Sequence, residues 1–338
     1  MNYVAQLAAL PERRGIRTAV LLDGDCQGHR IIFTPGLVLG CEPKDSPLLS
    51  SLPVLSMIPE SCALSLGGRR VFLEVLEDTP RLVLCGAGHV SLALIQMAGL
   101  LELPVTVLED REEFAQRARE AGAAQVICAP FEQALEDFPG SPDTYFVILT
   151  REHLYDRKCL EKILPKEWAY LGMMGSAGRV ELVRRQMLAA GADPERLALL
   201  HAPVGLEIGA ETPQEIALSI LAEIVQTRRQ GQQGSGYSAA LLRAAPAGGV
   251  LATIVAKEGS APRGIGTKML LTPDGQTGTI GGGLLEADVL RAGREMLASG
   301  ERYRLAPFAL TPARTQETMA CGGAVEVFLE RLDGKDGA

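Results

Sequence analysis

Between Arg81 and Arg229 short β-rich runs alternate with helical stretches, and this alternation limits the fold more than any other feature of the sequence. RLVLC, VTVL, QVICA, YFVILT and WAYLGMM read as successive parallel strands, as in doubly wound α/β domains. Glu112 to Ala121 is amphipathic at helical spacing, and Ala177 to Ala190 is a longer helical stretch. Thr212-Pro213-Gln214-Glu215 combines an N-cap, a proline at the first helical position and a capping-box glutamate, which marks a helix start.

Residues 230–238, QGQQGSGYS, are polar, glycine-bearing and without apolar period, as a flexible linker is, so a domain boundary is expected there. Beyond it, VLATIVA, TKMLLT and TGTI read as strands, with a turn at Pro273-Asp274-Gly275 and a helix from about Leu284 to Ala298. The expected division is a front segment 1–78, an α/β domain 79–229, the linker, and a small α+β domain 239–338. Arg70 to Leu76 (RVFLEVL) echoes Glu326 to Leu332 (EVFLERL), and Cys62 and Cys321 precede them. Two readings stay open: a reduced front copy of the C-terminal domain that lost its glycine-rich loops, or a shared strand pattern of independent origin.

A formal net charge of -8 offers no basic face for a polyanion, which argues against nucleic acid or an anionic membrane as the main partner. No apolar run approaches the roughly 20 residues of a membrane span, and the start lacks the pattern of a signal peptide; a cytoplasmic protein is expected. Seven cysteines without a CxxC pair suit buried thiols better than a disulfide framework or a zinc site. His29, His89, His153 and His201 show no paired metal spacing, and no serine stands in GxSxG, so zinc-enzyme and hydrolase readings lose support.

Gly86-Ala87-Gly88-His89 follows an apolar strand and opens a helix, where backbone can approach a pyrophosphate; Asp110, with Glu109 beside it, stands where a ribose-binding acid belongs. Simple strand-to-helix packing uses the same turn, and the third glycine is missing. Gly281-Gly282-Gly283 permits a backbone nest for an anion such as phosphate, and Glu286 can cap the following helix or bond a ligand amide. Gly259-Ser260-Ala261-Pro262-Arg263 suits a phosphate or pterin oxygen, against a plain loop with a surface arginine. Cys321, beside Gly322 and Gly323, is either a buried structural thiol or a molybdenum or sulfur contact. His153 and Asp156 either form a small polar site or tie a loop.

Together these segments resemble the XdhC/CoxI family. The resemblance is carried by GAGHV at Gly86 to Val90, Asp110-Arg111, the GxxGS turn at Gly172 to Ser176, and HAPVGLEIGAETPQEIA from His201 to Ala217. The other half of the family is similar at Gly259 to Arg263, Gly281 to Glu286 and Cys321 to Gly323, so that the likeness spans about residues 80 to 331. It implies a Rossmann-like doubly wound parallel sheet plus a smaller α+β XdhC/CoxI-type domain. It also implies an accessory protein that binds molybdenum cofactor (molybdopterin) and supports its sulfuration and insertion into a xanthine dehydrogenase-type molybdoenzyme. A cysteine desulfurase partner and a homo-oligomer are implied as well. Cofactor contacts are then expected at Gly86, Gly88, His89, Asp110, Arg111, Gly175, Ser176, Gly259, Ser260, Arg263, Gly281, Gly282, Gly283, Glu286, Cys321 and Gly322.

Three departures stand out. The glycine-rich half, usually first, here follows the Rossmann-like half; Leu284 replaces the cysteine of a GGGC pattern; and Arg151-Glu152 follows Thr150 where a histidine is common. An NAD(P)-dependent oxidoreductase using Gly86, Gly88 and Asp110 is the alternative enzyme, and a docking scaffold without ligand is a third reading.

Overall fold

The computed structural model describes residues 2–10, 13, 15–76, 80–230, 237–259, 261, 263–309 and 323–334. The chain divides into two compact units: one joins 1–78 with 233–338, the other is 79–232. The front segment therefore shares a unit with the C-terminal segment.

In the first unit, α1 (Tyr3–Ala9), β1 (Arg17–Leu21), β2 (Arg30–Thr34), β3 (Leu37–Glu42), α2 (Leu52–Met57), β4 (Cys62–Leu66) and β5 (Arg69–Val75) form the front half. Its antiparallel sheet has the order β3-β2-β1-β5-β4. One face of that sheet is closed by α2: Ala19, Leu21, Ile31, Phe33, Leu55 and Leu73 form a private core there.

The second unit continues with β6 (Arg81–Cys85), α3 (His89–Leu100), β7 (Val105–Glu109), α4 (Glu112–Glu120) and β8 (Gln125–Cys128). It is completed by α5 (Phe131–Asp137), β9 (Thr144–Ile148), α6 (His153–Ile163), β10 (Tyr170–Met173), α7 (Ala177–Ala189), α8 (Pro194–Ala198) and α9 (Pro213–Gln230). All five strands are parallel in the order β10-β9-β6-β7-β8, a Rossmann-like doubly wound sheet. Alternation along β6 sends Leu82 and Leu84 to a core under α3 and α9, and Val83 and Cys85 to one under α5, α6 and α7. The expected capping box is made: the Glu215 N–H donates to Thr212 Oγ1 at 3.3 Å, and the Thr212 N–H to Glu215 Oε2 at 2.8 Å.

The chain returns to the first unit with α10 (Ala239–Ala244), β11 (Gly249–Glu258), β12 (Lys268–Thr272), β13 (Gly275–Gly278), α11 (Gly283–Ser299), β14 (Tyr303–Ala309) and β15 (Ala324–Leu332). Their antiparallel sheet has the order β13-β12-β11-β15-β14, and α11 covers one face through Leu285, Val289 and Met296. The strand expected at 277–280 is instead Gly275–Gly278, because Thr279 turns away to bond Glu286. Of the expected linker, Gln230 ends α9, Tyr237 is buried and Ser238 caps α10, while 231–236 lie outside the described residues. Residues 77–79, where the front boundary was expected, also lie outside them.

Candidate functional site

In the parallel sheet the direction of winding reverses between β6 and β9, and their C-terminal ends flank the crevice where ligands bind in such folds. The glycine turn after β6 lies there. Gly86 has φ +113°, and a Cβ on it would stand 2.5 Å from the Leu149 carbonyl oxygen, so this glycine is required by the close approach of the strand end after β9. Gly88 differs. It is the N-cap of α3, makes no side-chain cap, and a Cβ there would meet nothing within 4 Å. The helix N-terminus is thus left bare, with His89 exposed as its first residue.

The acid under this turn is Glu109 rather than Asp110. Glu109 is fully buried and accepts from the Ala87 N–H at 2.8 Å and from Arg111 Nε at 2.9 Å. Asp110 instead takes a two-point bond from Arg151, at 2.7 and 2.9 Å, which holds its carboxyl below the ordinary value. Arg151 therefore occupies the carboxylate that sequence assigned to a ribose. Asp156 is bonded by Thr150 Oγ1 at 2.5 Å and Arg179 Nε at 2.6 Å, whereas His153 is exposed; of the two readings, the carboxylate ties the loop after β9, through Thr150 and Arg179. Burial raises the Asp156 carboxyl despite these donors. Ser176 caps α7 by accepting from the Arg179 N–H at 3.4 Å, and Gly175 lies against the Arg179 side chain.

A further cluster, unforeseen except for His201 and Gly205 of the quoted motif, sits beside β10. Glu223 on α9 accepts from Tyr170 Oη at 2.5 Å and the Gly205 N–H at 2.8 Å, and meets His201 Nδ1 at 3.0 Å. Burial alone would raise the Glu223 carboxyl, but these donors outweigh it and lower it; the same burial and Glu223 push Tyr170 up. One carboxylate thereby ties the 201–205 loop to the sheet. The available signal was an acid amid the apolar stripe of Ile216, Ile220 and Ile224.

In the first unit, Gly281, Gly282 and Gly283 have φ of +135°, +74° and +63° and open α11. Cβ atoms at Gly282 and Gly283 would meet nothing within 4 Å, so no neighbouring group crowds the backbone on that side. Glu286 folds back over it, accepting from the Gly282 N–H at 3.2 Å, from Gln276 Nε2 at 2.8 Å and from Thr279 Oγ1. Burial would raise the Glu286 carboxyl; the donors, led by Thr279, outweigh it and leave it lowered. Glu286 acts as the cap of its own helix. Gly259 has φ +70° and Arg263 is exposed. Ser260, Cys321 and Gly322 lie outside the described residues, and so does the Cys321 metal contact. Among the described residues no group of three or more His, Cys, Asp or Glu is arranged to hold a metal ion. No helix among them is long and apolar enough to cross a membrane.

Residues 82–224 match the XdhC Rossmann domain, and residues 242–306 match the XdhC and CoxI family. The chain belongs to the XdhC/CoxI family. The family's two halves thus follow one another in the order Rossmann-like, then glycine-rich. Similar relatives include the Escherichia coli protein YqeB, 38% identical over 188 residues, or 53% of this chain and 34% of that one. A Bacillus subtilis protein described as a probable xanthine dehydrogenase subunit is 33% identical over 160 residues, 47% of this chain and 46% of that one. The matches thus span a third to a half of these relatives' lengths. A xanthine dehydrogenase structure from Bacillus halodurans shares the fold, with TM-score 0.52 at 23% identity, over 67% of this chain and 62% of that one.

Proposed function

We propose that this protein is an accessory factor of a xanthine dehydrogenase-type molybdenum hydroxylase, one that holds molybdenum cofactor and supports its sulfuration and insertion. The observation that carries the reading is the open backbone nest at Gly281–Gly283, in the segment that matches the XdhC and CoxI family. Three successive residues at positive φ cannot be replaced without strain, and their N–H groups, two of which are held by Thr279 and Glu286 in the free chain, would turn to the phosphate of molybdopterin. The residues fit that group: nothing stands within 4 Å of where Gly282 and Gly283 would carry a Cβ, and Arg263, exposed in the β11–β12 loop, would supply a cation for the same phosphate. When bound, the cofactor supplies the molybdenum redox centre of the hydroxylase. The chain's own residues bind and orient its phosphate, with Glu286 yielding the Gly282 N–H as the anion arrives. A cysteine desulfurase, as sulfur source, the apo molybdoenzyme and a second copy of the chain are the partners this role calls for.

The test is molybdenum by mass spectrometry and pterin by fluorescence of its oxidised form, on protein from a cofactor-producing host and from one lacking the pathway. Matched, near-stoichiometric signals from the first host alone are expected. No signal from either, with no binding of added free cofactor, would overturn the reading. One observation favours a second reading, an NAD(P)-dependent oxidoreductase: the uncapped, open N-terminus of α3 at Gly88. Titration followed by NADH fluorescence separates the two.

A further inference from the structure

The two sheets of the first unit correspond strand for strand. Each is built from a leading helix, three strands, a covering helix and two more strands, with the third, second, first, fifth and fourth strands side by side. The registers then pair individual residues. Arg30 lies opposite Val20 and Lys268 opposite Thr253; Val20 lies opposite Phe72 and Thr253 opposite Phe328. Glu74 and Glu330 therefore hold one position, and each half carries a tyrosine beside the N-cap of its leading helix, Tyr3 after Asn2 and Tyr237 before Ser238. A bulge recurs as well. Gly28 N–H bonds Leu21 O at 2.8 Å and Leu21 N–H bonds His29 O at 3.0 Å; Gly266 N–H bonds Ile254 O at 2.8 Å and Ile254 N–H bonds Thr267 O at 3.0 Å. Both glycines stand at positive φ, +84° and +87°.

The contacts between the halves are reciprocal. Arg30 of the front half pairs with Glu330 of the rear half at 2.7 Å, and Lys268 of the rear half with Glu74 of the front half at 2.9 Å. Arg30 lies over the Tyr3 ring and Lys268 over the Tyr237 ring. Corresponding residues also touch one another, as only residues beside a two-fold axis do: Arg70 Nη1 is 2.9 Å from Glu326 Oε1, and the hydroxyls of the two cap-flanking tyrosines, Tyr237 and Tyr3, are 3.3 Å apart. This is the pattern of an isologous interface, in which residue i meets j and j meets i.

We propose that residues 1–76 and 237–334 are two copies of one α+β half, joined within the chain as a homodimer is joined between chains. The face of the glycine-rich half that the front half covers is accordingly a docking surface for a second copy of its own kind. Cys41 pairs with Ile31 as Gly278 pairs with Met269, so Lys44-Asp45-Ser46 stands where the rear copy carries Gly281-Gly282-Gly283. The front copy serves as partner and no longer as a nest. One ligand per chain, rather than two, follows if the proposed function holds; the pairing itself does not depend on it.

The test exchanges corresponding residues in the full-length chain, with a protease site placed at 77–79. Arg70→Glu or Glu326→Arg alone sets like charges together, and is expected to lower Tm by roughly 2–4 °C. The double exchanges Arg70→Glu/Glu326→Arg and Arg30→Lys/Lys268→Arg are expected to melt within about 3 °C of the parent. After cleavage the 1–76 fragment should co-elute with the remainder in the parent and both double variants. A front fragment that elutes separately from the cleaved parent, or a charge-exchange double that melts no higher than its lower single, overturns the proposal.

Discussion

The two glycine turns look alike as sequence and differ in what surrounds them. Gly86 is packed: its missing Cβ makes room for the Leu149 carbonyl, and a buried carboxylate, Glu109, fastens the turn from below. Gly282 is bare, with nothing within 4 Å of where a Cβ would stand. One turn uses glycine to let protein approach protein; the other leaves backbone free to be approached from solvent. A glycine motif is therefore read from what its absent side chain would touch.

The contrast is broken most directly by Gly86→Ala. A methyl group 2.5 Å from a carbonyl oxygen, at φ +113°, must move the β9 end or the turn. A loss of about 3 kcal/mol or more is expected, read by denaturant unfolding. A loss under about 1 kcal/mol would show that the turn relaxes freely. Next comes Glu109→Ala, which strands the Ala87 N–H and the Arg111 side chain; a cost of about 2 kcal/mol is expected by the same measurement.

Gly282→Ala sharpens the contrast from the other side. With open space, only the backbone resists the methyl group; φ +74° with ψ -175° is a region that essentially glycine alone adopts, and a stability loss of about 2 kcal/mol is expected. If the nest holds a phosphate, affinity for molybdopterin should fall about tenfold while the fold survives, which equilibrium binding reads separately from unfolding. Unchanged affinity would remove Gly282 from the site.

The parallel sheet was legible because both of its cores leave a periodic trace in the sequence: apolar runs for strands buried on both faces, and a capping box at Thr212. The front half was legible only as the echo of β5 in β15, since the matching cation and glutamate are 300 residues apart in one pair and nearly 200 in the other. Its cysteine echo does not follow the strand register: Cys62 lies in β4 opposite Leu73, and the residue opposite the corresponding Leu329 is Arg304. At the crevice, the choice between Glu109 and Asp110 turned on strand alternation. Glu109 shares the face of Val105 and Val107 and is carried under the glycine turn, whereas Asp110 leaves the strand toward Arg151. Arg151 and Arg179 act through partners distant in the chain, which no local pattern announces, and the apolar stripe around Glu223 marks the acid without naming Tyr170 as its partner.

The smallest expected effect concerns that outward carboxylate. Asp110 is held below its ordinary value by Arg151, so it binds fewer protons folded than unfolded in the window between the two pKa values. Its contribution is fully present above the unfolded value of about 3.9 and is lost as pH falls through the lower, folded value. Because both partners remain partly in water, with side-chain exposures of 18% and 30%, solvent screening limits the contribution to about 1 kcal/mol or less. Asp110→Asn should therefore fall slightly under the parent at neutral pH and approach it as pH drops through the lowered, folded value, in unfolding curves taken across that range. Equal stability at both ends would show that the Arg151 pair holds no net energy, leaving Glu109 as the acid that stabilises the turn. A neutral-pH loss above about 2 kcal/mol would instead show that Asp110 anchors the crevice as firmly as the buried glutamate does.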